Sequence, residues 1–246
     1  MFSFFEKKIF LVDHLHGLVD IHNHILPGID DGAKSIEDSI ELISGFTEFG
    51  INNFVCTPHI MSHYYPNTPK TIKTAFEALN KSLDKQGIKD VKIDYAAEHM
   101  IDENFETLLN KNLVLRLRKE YLLVEMSYLQ PSLNFNDAIQ NITSRSIYPI
   151  LAHPERYGYF HNSFSVYESI KKMGVLFQLN LLSLTGYYGV EIQKTSLKLL
   201  KAGLIEFISS DVHNMNHIKR IKEIKIKPNT LNQILPVVEN TILTFY

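Results

Sequence analysis

Leu18-Val19-Asp20-Ile21-His22-Asn23-His24 is a short apolar run that ends in two imidazoles, and its reading decides the fold. A run this short, rich in Leu, Val and Ile, reads as a buried strand. Side chains along a strand alternate with period two, so His22 and His24 face the same side at its end.

Six further apolar runs follow: Asn53–Thr57, Lys92–Ala96, Tyr121–Glu125, Ile147–Ala152, Leu176–Asn180 and Ile205–Ser209. Helical stretches separate them. Ser35 is an expected N-cap, with Glu37 and Asp38 placing negative charge on the first turn. Further helices are expected over Lys70–Lys85, Asp102–Asn110, Asn134–Thr143, Ser163–Lys172 and Val190–Lys201, and Gly50, Gly87, Gly174 and Gly203 punctuate the chain where C-caps belong. Strands alternating with helices predict an α/β fold with parallel strands, and right-handed crossovers lead to a closed or nearly closed barrel. An open doubly wound sheet has less support, because no glycine-rich phosphate loop follows the first strand.

The ends of these runs carry an unusual set of residues. His59 follows the second run, Glu98 the third, and Glu125 closes the fourth; His153 follows the fifth, and Asp211 and His213 follow the seventh. In a parallel barrel all strand C-termini meet at one rim. A carboxylate at the end of an apolar strand is costly to bury unless a cation pairs with it. Any one of these residues could be a salt-bridge partner or a loop residue. Imidazoles and carboxylates converging from six strand ends are a candidate metal centre, of a chemistry that suits Zn, Mn or Fe.

Composition narrows the classes. The chain has 246 residues, 45% hydrophobic and 21% charged, with a formal net charge of −2. That describes a globular domain without the basic excess of a nucleic-acid binder. The single cysteine, Cys56, permits no internal disulfide and fits a reducing compartment. Residues 1–17 are read as an amphipathic extension of one domain spanning 1–246, because Glu6, Lys7, Lys8 and Asp13 interrupt any signal-peptide core. No window reaches the ~20 apolar residues of a membrane span. A cytoplasmic protein is expected.

Asp20-Ile21-His22-Asn23-His24, Leu26-Pro27-Gly28-Ile29-Asp30-Asp31-Gly32, Thr57-Pro58-His59, His153-Pro154-Glu155-Arg156-Tyr157 and Ser209-Ser210-Asp211-Val212-His213-Asn214 together resemble the PHP (polymerase and histidinol phosphatase) superfamily. More narrowly, they resemble its bacterial metal-dependent tyrosine-protein phosphatase branch, the CpsB/YwqE type of capsule and exopolysaccharide loci. The resemblance runs from about Leu18 to Asn214. It implies a distorted seven-stranded (β/α) barrel with two or three divalent metals at the C-terminal rim, manganese first, iron or zinc next. By the family pattern, His22, His24, Glu98 and Asp211 hold the first metal. Glu98 bridges to the second, with Glu125 and His153. Asp31, preferred over Asp30 by that pattern, holds the third with His59 and His213. Arg156 resembles the arginine that binds substrate phosphate, and the attacking group is a metal-bound water held by Glu98. The implied substrate is a phosphotyrosine protein, a tyrosine kinase of polysaccharide export being the expected partner.

Alternatives from other classes are a PHP phosphatase of a small metabolite such as histidinol phosphate, and a catalytically silent kinase-docking protein. A cysteine-dependent phosphatase is disfavoured: Cys-x5-Arg is required, and the position directly after the five residues that follow Cys56 is Ser62. An amidohydrolase would want a bridging lysine at a strand, and no strand here ends in one. His14, His16 and His217 are read as outside the site, His99 as a packing or supporting residue, and His63 and His161 as weak candidates for a proton donor. Tyr64, Tyr65, Tyr157, Tyr159, Tyr187 and Tyr188 are read as candidate walls of a phosphotyrosine cleft, with ordinary rim packing the competing reading.

Overall fold

Each of the seven apolar runs forms a strand in the computed structural model, which describes residues 8–246. In chain order the strands are β1 (Ile9–Phe10), β2 (Val19–Asp20), β3 (Asn53–Cys56), β4 (His59–Ile60), β5 (Lys92–Tyr95), β6 (Glu98–Met100), β7 (Tyr121–Glu125), β8 (Tyr148–Ala152), β9 (Leu176–Asn180), β10 (Phe207–Ser209) and β11 (Lys225–Ile226). The α-helices are α1 (Ile36–Thr47), α2 (Pro69–Lys85), α3 (Phe105–Asn110), α4 (Phe135–Thr143), α5 (Ser165–Lys172), α6 (Val190–Lys201), α7 (Met215–Lys222) and α8 (Pro228–Phe245).

The result is an α/β fold with parallel sheets. One sheet runs β10-β9-β8-β7-β6-β4, and a second runs β2-β3-β5. Two runs are broken. After β3 the chain interrupts at Thr57-Pro58 and resumes as β4; after β5 it interrupts at Ala96-Ala97 and resumes as β6. His59 and Glu98 therefore open short second strands, a correction to the expectation that they follow the ends of single ones. Proline lacks the N–H that a continuous ladder needs. Pairing nevertheless carries across both breaks, with Ala96 N donating to Cys56 O at 2.8 Å and Glu98 N to Pro58 O at 3.1 Å.

Helix starts follow the local chemistry. Ser35 caps α1 in a reciprocal capping box with Asp38, and Thr68 caps α2 in the same way with Thr71. Past α1, Gly50 adopts φ +80°, a left-handed turn that glycine reaches without strain.

The strands separate two apolar clusters by alternation. Along β7, Leu122 and Val124 belong to the cluster shared with helix residues such as Phe46, Leu79 and Ile139. Leu123 belongs to the other, with Val19, Ile21, Val55, Ile150, Ala152 and Phe207. Phe245, from the end of α8, joins that second cluster, its ring 5.0 Å from Phe207 and 5.3 Å from Tyr121. The segment before the first apolar run is partly described: Ile9–Phe10 pairs antiparallel with β11, and Leu11 and Leu15 are fully buried. The rest of that segment, residues 1–7, lies outside the described residues.

Candidate metal centre

The two ends of the strand order are stitched together at the first motif. Asp211 N donates to His22 O at 2.8 Å, His24 N to Val212 O at 3.0 Å, and His22 N to Ser209 Oγ at 2.8 Å. Asp20, fully buried, accepts from Ser209 Oγ, Ser210 N and Ser210 Oγ. Asn23 turns the other way, its amide donating to Asp20 O and Val55 O. His22 and His24 are thereby held on one side, their rings 5.5 Å apart.

Each of these imidazoles is oriented through Nδ1. His22 Nδ1 lies 2.8 Å from Gln178 Oε1, His24 Nδ1 2.8 Å from Asp30 Oδ2, and His213 Nδ1 2.9 Å from the carbonyl of Asp211. An N–H donated to an oxygen leaves Nε2 as a lone pair, the tautomer a metal ligand needs. Asp30 also accepts from Gly32 N and His59 N. Buried Asp30 thus braces the site, while neighbouring Asp31 turns its Oδ1 to within 3.5 Å of His59 Nε2 and 3.4 Å of His213 Nε2. The loop carrying both aspartates packs against His24 so closely that a Cβ on Gly32 would fall 1.9 Å from His24 O.

Glu98 lies at the centre. Its Oε2 is 3.1 Å from His22 Nε2 and from His59 Nδ1, and 3.5 Å from His24 Nε2; its Oε1 is 3.1 Å from His153 Nε2. Asp211 Oδ1 is 3.4 Å from His22 Nε2 and 3.3 Å from His24 Nε2. Four donor groups result among the described residues: His24, Asp31, His59 and His213; His22, His24 and Asp211; His22, Glu98 and His153; and His59, Glu98 and Glu125. Glu125 thus falls beside His59, its Oε1 2.8 Å from Nδ1, and His59 spans two groups.

The donors fit divalent cations. His22 Nε2, His24 Nε2, His59 Nδ1, Glu98 Oε2 and Glu125 Oε1 are buried and have no hydrogen-bond partner. They approach one another to about the distances of hydrogen bonds without the directions, as lone pairs aimed at shared points between them do. Leaving so many buried polar atoms unsatisfied is costly, and a coordinated cation removes that cost. Imidazole and carboxylate without thiolate suits Mn, Fe or Zn. The electrostatics agree. Burial opposes the charge on Glu98, yet His22 and His59 hold its carboxyl well below the usual range. Burial likewise opposes the imidazolium of His24, but Asp30 and Asp211 overcome it and carry the group up to about 10, so a bound cation would take the place of the Nε2 proton.

Arg156 borders this cluster. Its Nη1 donates to Asp211 Oδ2 at 2.7 Å, and Asn180 Nδ2 donates to the same oxygen. The guanidinium lies between two rings, 4.6 Å from Tyr128 and 4.3 Å from Tyr188. All of this opens into a cleft of about 690 Å³, bordered by Asp31, His59, Glu98, Glu125, His153, Arg156, Asp211 and His213.

The supporting residues were the ones that motif reading missed. Tyr128 places its hydroxyl 3.3 Å from His153 Nε2, from a loop position three residues beyond Glu125. Gln178 was visible as a polar residue inside the apolar run Leu176–Asn180. Among the expected cleft tyrosines, Tyr65 stacks on His59 at 5.4 Å and Tyr188 on Arg156, whereas Tyr157 is buried and its hydroxyl accepts from Met126 N. His99 is fully buried between Leu123 O and Leu115 N, a packing residue. His217, expected outside the site, instead backs it: it accepts from His213 N and meets the His213 ring edge-on at 5.7 Å. Cys56 is buried, and burial pushes its thiol far above the usual range.

The chain is similar to known proteins. The family described as CpsB/CapC, capsular polysaccharide synthesis, matches residues 18–232. The tyrosine-protein phosphatase YwqE of Bacillus subtilis (strain 168) is 30% identical over 198 residues, covering 80% of this chain and 78% of that protein. The tyrosine-protein phosphatase CpsB of Streptococcus pneumoniae is 27% identical over 205 residues, 81% of this chain and 84% of that one. Among solved structures, one from work on YwqE and S. pneumoniae CpsB, described as metal-dependent tyrosine phosphatases, superimposes with a TM-score of 0.76 at 31% identity, covering 83% of this chain and 84% of its own. Histidinol phosphate phosphatase of Lactococcus lactis matches in fold alone, with a TM-score of 0.54 at 13% identity over 85% of this chain and 92% of its own.

Proposed function

This chain belongs to the CpsB/CapC family of capsular polysaccharide synthesis, and from that premise we propose that it is a metal-dependent phosphatase of phosphotyrosine proteins. The observation that carries the reading is the set of buried, unpartnered donor atoms around Glu98, next to an arginine anchored on Asp211 of the same cluster. A tyrosine kinase of capsule or exopolysaccharide synthesis is the substrate we expect first, given the family's role.

In this reading His22, His24, Glu98 and Asp211 hold one cation, Glu98 with Glu125 and His153 a second, and Asp31, His59 and His213 a third. Two or three ions are bound, manganese being the first choice and iron or zinc next. When bound, they supply Lewis-acid charge and a water acidified toward a pKa of ~7. The chain's own residues do the rest. Arg156 offers a planar fork of donors to the phosphoryl oxygens, and Asp211 fixes its position. Tyr128 and Tyr188 stack on the guanidinium and screen it from water. A tyrosinate leaving group, with a reference pKa of ~10, needs less protonation than an alkoxide. Buried Cys56 takes no part.

We further read the two parallel sheets as one distorted seven-stranded barrel in a single domain, with the metals at its C-terminal rim. The parallel bridge between Asn23 and Val212, where the chain beyond β2 meets the chain beyond β10, supports this. No helix among the described residues is long and apolar enough to cross a membrane; we place the protein in the cytoplasm.

The test is side-by-side kinetics of metal-replete protein on a phosphotyrosyl peptide and histidinol phosphate. A higher kcat/KM for the peptide is expected. A preference for histidinol phosphate would move the function to small metabolites, and no turnover of either would make the protein a silent docking partner.

A further inference from the structure

The most exposed large apolar side chains among the described residues are Leu133, Leu129, Tyr64 and Leu243, at 100, 91, 75 and 74%. The first three border the same cleft as the metal-type donors. Single exposed leucines are ordinary on a soluble protein; their concentration at one opening is not.

Leu129 and Leu133 stand on the loop between β7 and α4, and that loop is tied down. Tyr159 donates its hydroxyl to Ser127 O at 3.0 Å, Leu129 N donates to Ser127 Oγ at 3.1 Å, and the Tyr128 hydroxyl meets His153. At the far end, Asn134 Nδ2 reaches Asp102 O at 3.4 Å. The leucines are therefore displayed on anchored backbone. Met61, Met100 and Ile101 extend the apolar surface along the cleft.

We infer that this apolar lip binds the side chains next to the phosphotyrosine in an extended protein segment, and that it selects apolar neighbours. The inference rests on the phosphatase reading above. The phosphate is fixed at Arg156 and the donor cluster, so whatever continues from the tyrosine must leave through the opening that Leu129, Leu133 and Tyr64 border. An apolar residue laid there covers surface that is otherwise wet, whereas a serine gains nothing from it. A free phosphotyrosine carries no neighbouring side chains to lay there.

The test compares three substrates with the metal-replete full chain: free phosphotyrosine, a phosphotyrosyl peptide flanked by leucines, and the same peptide flanked by serines. Wild-type protein should favour the leucine-flanked peptide in kcat/KM by about tenfold, the scale on which an apolar pocket discriminates small differences in side chain. In the Leu129→Ser/Leu133→Ser double variant the ratio between the two peptides should fall to about one. Equal wild-type rates on both peptides, or a preference that survives the double substitution, would overturn the inference while leaving the phosphatase reading intact. Failure of wild-type protein to turn over any of the three would sink that reading and this inference with it. A wild-type dimer by sedimentation that the double variant abolishes would also overturn it, since the lip would then belong to a second copy.

Discussion

Asp211 holds Arg156 with one carboxylate oxygen, Oδ2 at 2.7 Å from Nη1, and turns the other toward His22 and His24. One side chain thus links the proposed phosphate-binding arginine to the proposed metal ligands. The arginine's position is set by a group whose own position the cations would fix.

Arg156→Lys tests that link. Lysine keeps the charge but loses the planar fork and the stacking between Tyr128 and Tyr188. We expect kcat/KM on a phosphotyrosyl peptide to fall by roughly 10²–10³, the usual consequence of removing one donor aimed at developing charge. Bound metal should be unchanged by elemental analysis. Wild-type kinetics would remove Arg156 from the mechanism.

Glu98→Gln should act on the metals themselves. Glu98 approaches four of the five clustered histidines, so losing its charge should strip most of the bound metal and with it the activity. Chelation of the wild-type protein should reproduce both effects, and added Mn should reverse the second only in the wild type. Ligand loss also removes binding energy from the native state; a site filled at ~1,000 times its Kd contributes about 4 kcal/mol. A melting temperature indifferent to chelator would argue against resident cations.

Gly32→Ala probes the loop that carries Asp30 and Asp31. An added Cβ would fall 1.9 Å from His24 O and 2.4 Å from His24 Cβ, so backbone must move. Forced overpacking typically costs about 1–3 kcal/mol. The expected outcome is a folded protein with a lower melting temperature and weaker metal retention. A variant indistinguishable from wild type in both would show that the loop is free to shift.

Cys56→Ala should retain activity within about twofold, since the thiol is fully buried on a strand and takes no part in the site. With its pKa pushed up by burial, the native thiol should resist iodoacetamide at neutral pH and react only once the chain unfolds. Stoichiometric labelling of native protein with loss of activity would reopen a thiolate mechanism.

Much of the candidate site was legible because its metal-type donors follow apolar strands. His22, His24, Glu125, His153, Asp211 and His213 could be placed by period and position alone. Where the sequence fell short, the deciding interaction was tertiary. Pro58 and the Ala96-Ala97 pair divide two strands, which an unbroken apolar pattern conceals. Asp30 and Asp31 are adjacent and alike; only the packing of Gly32 on His24 decides that one braces and the other faces His59. Tyr128 lies in a loop without periodicity, and nothing local says that its ring covers Arg156. The tail beyond Ile221 offered no motif, and Phe245 earns its buried place only against Phe207 and Tyr121.

The stitching of Asp20–His24 to Ser209–Val212 joins segments 187 and 189 residues apart. Such contacts close the longest loops and form late in folding. During synthesis, a nascent chain that has not yet emerged past Ser209 carries both imidazoles of the first motif but neither Asp211 nor His213. Two of the four donor groups, the one that includes Asp211 and the one that includes His213, are then incomplete. A product truncated there would also lack the carboxylate that holds Arg156, so in the phosphatase reading it should not turn over phosphoesters.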